Sequence, residues 1–437
     1  MRWLADLVYL VVGLLYLPVA IYNALILGKN RRGWRCRFGF VPRFDPTRER
    51  IWIHAVSLGE INATPKLVEE LRSRRPDCDI VFSATTDTGY ARAVQLYGRH
   101  RVFRFPLDFS LVVSRVLRCV RPAMIVLVEQ ELWYNLVRQA TRKGIPVAVV
   151  NGRLTERSAR RLGKLGGIAR SMFGDLAWVG AQDESIAARF AALGASPDRV
   201  QVTSSLKWDT ATVTDSVEGA DELAREVGLD RSRPVWVCGS TGPGEEALIL
   251  AAYRRLLDDS RGDGPALAIV PRKPERFDDV AQLIERSGFR CVRRSRSNDD
   301  MTHVSNETPV VILGDTMGEL RRFYALADVV FVGRTLVPMG GSDPMEVAAL
   351  GKAMVVGPHT DNFQMPIDAL RRADAVRVIE SADALPALVR ELLNDVALRR
   401  SLADRARKVV LENQGATART VDRLIDILDR TRPTPPS

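Results

Sequence analysis

The feature that most constrains the fold is a regular alternation of short apolar strands and helical stretches along almost the whole chain. Continuous apolar strands separated by helices indicate parallel sheets that are covered by helices on both faces. The segment 207–233 has no strand pattern and is rich in charge, Thr and Gly, so it predicts a linker between two such runs. The predicted strands are 51–56, 79–84, 101–105, 123–128, 145–150, 176–181 and 199–203 before it, and 235–238, 266–270, 289–292, 310–313, 329–332, 353–356 and 375–378 after it.

The N-terminus differs from the rest of the chain. Residues 7–27 carry no charge, and a helix of that length would reach about 30 Å, the thickness of a hydrocarbon core. We therefore predict a membrane anchor at 1–30, followed by domains at 31–210 and 211–437. Pro18 and Asn23 weaken a straight span, so a helix lying in the membrane interface and a buried core helix stay open as alternatives.

Charge supports a membrane partner more than a nucleic acid. The chain has 63 Lys and Arg against 53 Asp and Glu, a net charge of +10, and the stretch 29–50 alone contains two acidic and eight basic residues. Basic residues directly after an apolar run predict a cytoplasmic body held against anionic lipids. A nucleic-acid binder would spread its basic residues over a binding face, so no nucleic-acid partner is expected. The eight basic residues, called the basic collar below, are Lys29, Arg31, Arg32, Arg35, Arg37, Arg43, Arg48 and Arg50.

Cysteine and histidine give no sign of a metal or redox cofactor. The five cysteines are scattered without a C-x-x-C pair, and only four histidines are present. We expect neither a bound metal nor another cofactor.

Three loops that follow strands in the second half suit a nucleotide phosphate. The run Cys238-Gly-Ser-Thr-Gly-Pro-Gly-Glu-Glu246 combines glycines with the capping residues Ser240 and Thr241 at a helix start. It lacks the Lys-Ser/Thr ending of a P-loop, which excludes an ATPase of that class. Arg272 and Lys273 follow the next strand. The loop that contains Met317, Gly318 and Glu319 repeats the arrangement of strand, turn and helix.

In the first half, carboxylates occupy the corresponding places. Glu60 stands after a strand and at a helix start, where it could act as a base or simply complement the helix dipole. Glu129 and Glu131 form an acidic pair at the end of another strand. Because ligands of doubly wound sheets bind at the carboxyl ends of the strands, all three are candidate catalytic residues.

These motifs, in this order, resemble the 3-deoxy-D-manno-octulosonic acid (Kdo) transferases of lipopolysaccharide synthesis. The resemblance implies a GT-B fold and an inverting transfer of Kdo from CMP-Kdo to a lipid A precursor (lipid IVA) at the cytoplasmic face of the inner membrane. The matching motifs are His54-Ala-Val-Ser-Leu-Gly-Glu60, Glu129-Gln-Glu-Leu-Trp133, Asn151-Gly-Arg-Leu-Thr-Glu-Arg-Ser158, Leu206-Lys-Trp-Asp209, Gly239-Ser-Thr, Pro271-Arg, Gly314-Asp-Thr-Met-Gly-Glu319 and Val337-Pro-Met-Gly-Gly341.

The resemblance also implies roles for single residues. Glu60 would be the general base that takes the proton from the acceptor hydroxyl. Lys207, Arg272, Lys273 and the helix starts at Ser240 and Met317 would stabilise the phosphate of the leaving CMP, so that no divalent metal is needed. Glu346 would hold the nucleotide ribose.

Several positions depart from the family pattern and keep other functions open. The family usually has His in place of Gly242 and Lys273, and Gly in place of Arg334. The alternatives are a different CMP-ulosonate donor, a nucleotide-sugar 2-epimerase of the same architecture, and a degenerate, non-enzymatic GT-B scaffold. There are three further departures. Ser342-Asp343 stand where the family has His-Asn, Tyr134 and Val347 each stand where it has Pro, and Ser204-Ser205 stand where it has Gly-Asn.

Overall fold

A computed structural model describes residues 2–25, 33–130, 132–258, 264–296 and 308–431. All of the predicted strands are present, and their boundaries differ from the predicted ones by a few residues at most. They are β1 (Arg50–His54), β2 (Asp79–Ala84), β3 (Val102–Arg104), β4 (Met124–Val128), β5 (Val147–Gly152), β6 (Trp178–Ala181), β7 (Val200–Val202), β8 (Val235–Thr241), β9 (Ala266–Pro271), β10 (Arg290–Arg293), β11 (Val310–Leu313), β12 (Val329–Val332), β13 (Ala353–Val356) and β14 (Arg377–Val378).

The strands form two separate seven-stranded sheets in which every pairing is parallel. The first has the order β3-β2-β1-β4-β5-β6-β7, and the second has the order β10-β11-β9-β8-β12-β13-β14. The direction of winding therefore reverses between β1 and β4 in the first sheet and between β8 and β12 in the second. Ligands of open α/β sheets bind at such a switch point, outside the carboxyl ends of the strands. The predicted pair of doubly wound α/β domains is confirmed.

Both faces of the first sheet are buried, which explains why its strands are continuously apolar. Successive side chains of a strand point to opposite faces, so Ile51 belongs to one buried cluster and Trp52 to the other. Ile125 and Val126 of β4 divide between the two clusters in the same way. The buried cluster of the second unit is centred on β8 and β9.

Helices connect the strands and cover the sheets. They are α1 (Arg2–Leu25), α2 (Trp34–Arg37), α3 (Leu58–Asn62), α4 (Pro65–Arg74), α5 (Asp87–Tyr97), α6 (Ser110–Val120), α7 (Tyr134–Arg142), α8 (Glu156–Gly163), α9 (Gly167–Gly174), α10 (Glu184–Ala192), α11 (Ala220–Glu226), α12 (Glu245–Asp258), α13 (Phe277–Arg286), α14 (Leu320–Leu326), α15 (Met345–Ala349), α16 (Gln364–Arg372), α17 (Leu385–Asn394), α18 (Val396–Asn413) and α19 (Ala416–Thr431).

The chain divides into two compact units, and the end of the chain belongs to the first. The first unit runs to Thr210 and includes the residues from Asn413 onward, whereas the second is Ala211–Glu412. The sequence-based prediction placed the whole segment 211–437 in the C-terminal domain, whereas the residues from Asn413 onward belong to the first unit. The reason is packing: Leu424 and Leu428 of α19 are buried in the same cluster as Ile51. The carboxylate of Asp209 accepts the N–H of Gly415 at 2.7 Å and fixes the start of the helix.

Helix α1 packs on the first unit by its first turns. The carboxylate of Asp6 accepts hydrogen bonds from the N–H of Ser110 at 2.8 Å and from the side-chain amide of Asn135 at 2.9 Å. The ring of Tyr9 lies edge-on to Phe109 with 6.3 Å between centroids.

The prediction of a membrane-spanning anchor is not supported. Across the residues that the structure describes, no helix combines the length and the apolar character needed to cross a bilayer. Residues 1 and 26–30 of the predicted anchor lie outside the described residues, as do Lys29, Arg31 and Arg32 of the basic collar.

Candidate functional site

Glu60 lies beside the switch point of the first sheet, in the short helix α3 that follows β1. Ser57 is the N-cap of this helix, and its hydroxyl accepts the N–H of Glu60. The Glu60 carboxylate reaches back and accepts the N–H of Val56 and the hydroxyl of Ser57, each at 2.7 Å. This is the reciprocal arrangement of a capping box, so part of what holds Glu60 is local helix chemistry. The side chain is nevertheless fixed and buried at the place where ligands of such sheets bind.

The electrostatics of Glu60 suit a proton acceptor. Burial raises the pKa of its carboxyl above the ordinary range, the hydrogen bonds from Val56 and Ser57 partly offset this, and the charge of Glu129 raises it further. A general base works best when its pKa lies nearer the working pH than that of an exposed carboxylate. The two carboxylates follow the neighbouring parallel strands β1 and β4, so both lie at the same edge of the sheet. Glu131, the third acidic candidate, lies outside the described residues.

The backbone at this edge of the sheet is strained. Glu129 has φ 64°, Asn151 φ 52° and Ser204 φ 67°, all in the left-handed region that side chains other than glycine rarely adopt. The side-chain oxygen of Asn151 accepts the hydroxyl of Ser205 and the N–H of Leu206, each at 3.1 Å. Asn151 thereby positions the segment that carries the half-buried Lys207. No such role was predicted for Asn151 from the sequence.

The second unit assembles a corresponding site at its own switch point. Ser240 and Thr241 end β8; both are buried, and Ser240 has φ 56°. The Thr241 hydroxyl donates to Glu246 at 2.8 Å, and the Thr241 carbonyl accepts the N–H of Arg272 at 3.1 Å. Three of the predicted donor-binding residues, Ser240, Thr241 and Arg272, are therefore neighbours.

Glu346 lies near the same place, at the start of α15. Burial, followed by the charges of Glu346 and Asp343, raises the pKa of Tyr324, whose hydroxyl hydrogen-bonds Ser240. The hydroxyl of Ser342 donates to the Ser240 carbonyl at 3.3 Å. The loop that precedes α15 thus packs directly on the end of β8.

Glu245 connects the two loops of this switch point, although it was not among the site residues predicted from the sequence. Its fully buried carboxylate accepts the N–H of Gly242 at 2.9 Å, and it also accepts the N–H groups of Arg334, Thr335 and Leu336 at 2.5, 2.7 and 2.9 Å. Burial raises the pKa of Glu245, and these four hydrogen bonds oppose the rise. An acidic residue directly after a glycine-rich turn is the signal in the sequence that could have indicated it.

Comparison with known proteins decides the family. The family model described as 3-deoxy-D-manno-octulosonic-acid transferase matches residues 32–210. A 3-deoxy-D-manno-octulosonic acid transferase of Haemophilus influenzae is 36% identical over 90% of this chain and 91% of its own length. One from Bordetella pertussis is 35% identical over 88% of each chain. The chain belongs to the Kdo transferase family. It is therefore a glycosyltransferase of lipopolysaccharide biosynthesis, and the 2-epimerase alternative is not supported.

The structure of the transferase also resembles solved glycosyltransferase structures. MurG of Acinetobacter baumannii superposes with a TM-score of 0.54 over 86% of this chain and 99% of its own, at 14% identity. At this identity the likeness concerns the fold alone, which is of the GT-B type.

Other residues that were predicted to bind the donor of the transferase are either exposed or already paired with neighbouring side chains. Lys273 is exposed and pairs with Glu275 at 3.6 Å. Met317 is 68% exposed, and Gly318 has φ 88° with no atom near the position of a Cβ. The carboxylate of Glu319 is held by Arg294 at 3.1 Å and by Arg322 at 3.0 Å, so it already has a role in fixing its own loop. Within the described ranges, no group of three His, Cys, Asp or Glu side chains is arranged to hold a metal ion.

Proposed function

We propose that the protein transfers Kdo from CMP-Kdo to a lipid A precursor, lipid IVA, with inversion at the anomeric carbon and Glu60 as the general base. The observation that carries this proposal is the state of Glu60: buried, hydrogen-bonded to Val56 and Ser57, close to the charge of Glu129 and at the switch point of its sheet. Family membership supports the sugar that is transferred.

In the proposed reaction, a sugar hydroxyl of the acceptor attacks the anomeric carbon of Kdo as the bond to the CMP phosphate breaks. The hydroxyl proton passes to Glu60, and the bonding electrons leave with CMP. Because the transition state is close to an oxocarbenium ion, proton transfer can be late and a carboxylate is a sufficient base. Glu129 keeps Glu60 basic through its charge. Glu131 remains a proposed member of the same site.

The leaving phosphate gains negative charge, and the proposal assigns it to cationic and hydroxyl groups. Ser240 at the end of β8 and Arg272 after β9 are assigned to it as donors. Thr241, whose hydroxyl donates to Glu246 and whose carbonyl accepts the N–H of Arg272, would position this part of the donor site. By the family resemblance Lys207 and Lys273 add positive charge, and Met317, Gly318 and Glu319 line the donor site with their loop. Glu346 would hold the ribose. The reaction so drawn uses neither a divalent metal nor another cofactor.

We further propose that α1 lies in the membrane interface at the cytoplasmic side of the inner membrane. Its exposed surface is apolar over several turns, with Leu14 59% and Leu15 77% exposed. Trp34 and Phe38 are exposed as well, as is Arg35 of the basic collar. Each basic residue close to anionic lipid contributes about 1 kcal/mol of attraction, so the exposed collar residues Arg35, Arg43 and Arg48 would help to hold the enzyme at its anionic lipid acceptor. Arg50 of the collar is buried and bonded to the Val120 carbonyl and Asp79, so it does not take part.

The test is a transfer assay with the purified full-length protein. CMP-Kdo and tetraacylated lipid A precursor are incubated without added metal, and the product is followed by its mass. We expect Glu60→Gln to lower kcat by about a hundredfold or more, since the base is lost, while Glu69→Gln, an exposed carboxylate of the same unit, serves as the matched control.

Each alternative has its own outcome in this assay. Unmodified lipid with active CMP-Kdo would exclude Kdo as the transferred sugar, and a parallel reaction with a related CMP-ulosonate would show whether another donor is used. No transfer from any donor would support the non-enzymatic scaffold. Full activity of Glu60→Gln would remove Glu60 as the base.

A further inference from the structure

Arg334 occupies an unfavourable backbone conformation at the switch point of the second sheet. It stands two residues after the end of β12, and its φ of 62° lies in the left-handed region. A glycine would adopt this conformation without strain, and the family pattern has glycine here. A strained residue persists only where its surroundings fix it, and such residues concentrate at ligand sites.

The surroundings of Arg334 do fix it. Its N–H donates to the buried Glu245 carboxylate at 2.5 Å, and its carbonyl accepts the N–H of Gly341 at 2.8 Å. Glu245 also accepts the N–H of Gly242 in the facing loop, which follows β8. The two loops on either side of the switch point are thus held at a set distance.

The side chain of Arg334 lies over Gly242. A Cβ built on Gly242 would be 3.0 Å from Cγ of Arg334 and 2.7 Å from Sδ of Met339. The family pattern has His at 242 and Gly at 334. In this chain position 242 has no side chain. The basic group beside it is Arg334, which belongs to the facing loop after β12.

The guanidinium of Arg334 is only partly satisfied by the protein. One Nη donates to the Met339 carbonyl at 3.2 Å. Nε is buried and, as far as the described residues show, has no hydrogen-bond partner. In those residues no carboxylate lies within 4.0 Å of the guanidinium, so its charge is not balanced by an ion pair. Arg334 is half-buried, and its charge-assisted donors can bind an anion strongly.

We propose that Arg334 is a donor-binding residue that takes an oxyanion of the nucleotide sugar at the β8–β12 switch point. This rests on the proposed function, which supplies the donor. The phosphate and the ulosonate carboxylate of CMP-Kdo share the required chemistry. The planar guanidinium can bind either with two parallel hydrogen bonds, which the imidazole of the family pattern cannot do.

The experiment compares Arg334→Ala with Arg334→Lys in the full-length protein. Both variants keep a non-glycine residue in the left-handed backbone, so they differ in charge and not in strain. The affinity for CMP is measured by calorimetry, and KM values for CMP-Kdo and for the lipid acceptor are measured separately. Asp374→Ala is the matched control, because Asp374 is also left-handed, with φ 49°, and lies in the same unit at a helix end.

We expect Arg334→Ala to weaken donor binding by about tenfold or more, as for the loss of a charged hydrogen bond, while the acceptor KM stays constant. Arg334→Lys should retain more affinity than Arg334→Ala. Weaker binding of both CMP and CMP-Kdo would assign the phosphate, and a change for CMP-Kdo alone would assign the carboxylate.

Two results would overturn the proposal: wild-type affinity in Arg334→Ala, or equal losses in the Ala and Lys variants, which would indicate packing and not charge. If the wild-type protein itself does not bind CMP, the proposed donor is wrong and this inference fails with it. If it does bind CMP and Arg334→Ala binds equally well, only the inference fails.

Discussion

Left-handed residues other than glycine mark the ligand-binding edges of both sheets. Among the described residues, five of them stand at the ends of strands or within two residues after them: Glu129, Asn151, Ser204, Ser240 and Arg334. The other two, Arg121 and Asp374, follow helices, where this conformation commonly ends a helix. Each such residue costs about 1–3 kcal/mol, so the strain is concentrated where substrates are expected to bind.

Glu129 should control the basicity of Glu60. Its charge raises the pKa of Glu60, so Glu129→Gln lowers that pKa and keeps Glu60 ionised in more acidic solution. We therefore expect the acid limb of the pH profile of kcat/KM to move to lower pH. The profile is measured in the transfer assay with Glu69→Gln alongside. If the acid limb does not move in Glu129→Gln, the charge of Glu129 does not control the pKa of Glu60.

At the scale of elements, α1 is joined to the start of α7 through buried polar groups. Asp108, just before α6, accepts the N–H groups of Asn135 and Leu136 at 2.8 and 2.9 Å, and the hydroxyl of Tyr9 also hydrogen-bonds it. Because α7 follows the loop of Glu129, a helix proposed to lie in lipid is held to the segment that leads to the active site.

Asp108 makes the stability of this junction depend on pH. Burial raises its pKa from 3.8 to about 7, the hydrogen bonds partly oppose this, and the charge of Asp6 adds to the rise. Since the folded pKa exceeds the unfolded one, the stabilising contribution is complete below about pH 4 and is lost as the pH rises through about 7. Asp108→Asn removes this titration.

We expect the free energy of unfolding to fall less between pH 4 and 7 in Asp108→Asn than in the wild type, whatever the absolute stability of the variant. Urea unfolding at several pH values measures it. Asp198→Asn, an exposed carboxylate of the same unit, is the control. Parallel curves for all three proteins would contradict the assignment.

At the scale of the whole molecule, local patterns predicted the architecture and missed the long-range contacts. Runs such as 310–313 and 353–356 were placed correctly, because a strand buried on both faces is apolar throughout. Glu60 could be placed near the site because it follows a strand. The pairing of Glu319 with Arg294 and the return of α19 to the first unit could not be predicted, since they join residues far apart in sequence.

Helix α19 should stabilise the first unit selectively. Leu424 is buried in the cluster that contains Ile51, so Leu424→Ala leaves a cavity and should cost about 2–5 kcal/mol. The loss should appear as faster hydrogen exchange in β1 and β2 and not in β8. Leu411→Ala, at a position that is 54% exposed, should change little. Equal loss of protection in β8 would refute the selectivity.

The position of α19 also fixes the order in which the protein can be completed. During translation most of the first unit emerges before the second, yet its core lacks Leu424 and Leu428 until α19 has left the ribosome. The entire second unit is synthesised in that interval. A nascent chain that stops at Glu412 would therefore carry one complete domain and one with an uncovered apolar surface, which is what chaperones recognise. The first unit therefore completes its core after the second unit, although its synthesis begins earlier.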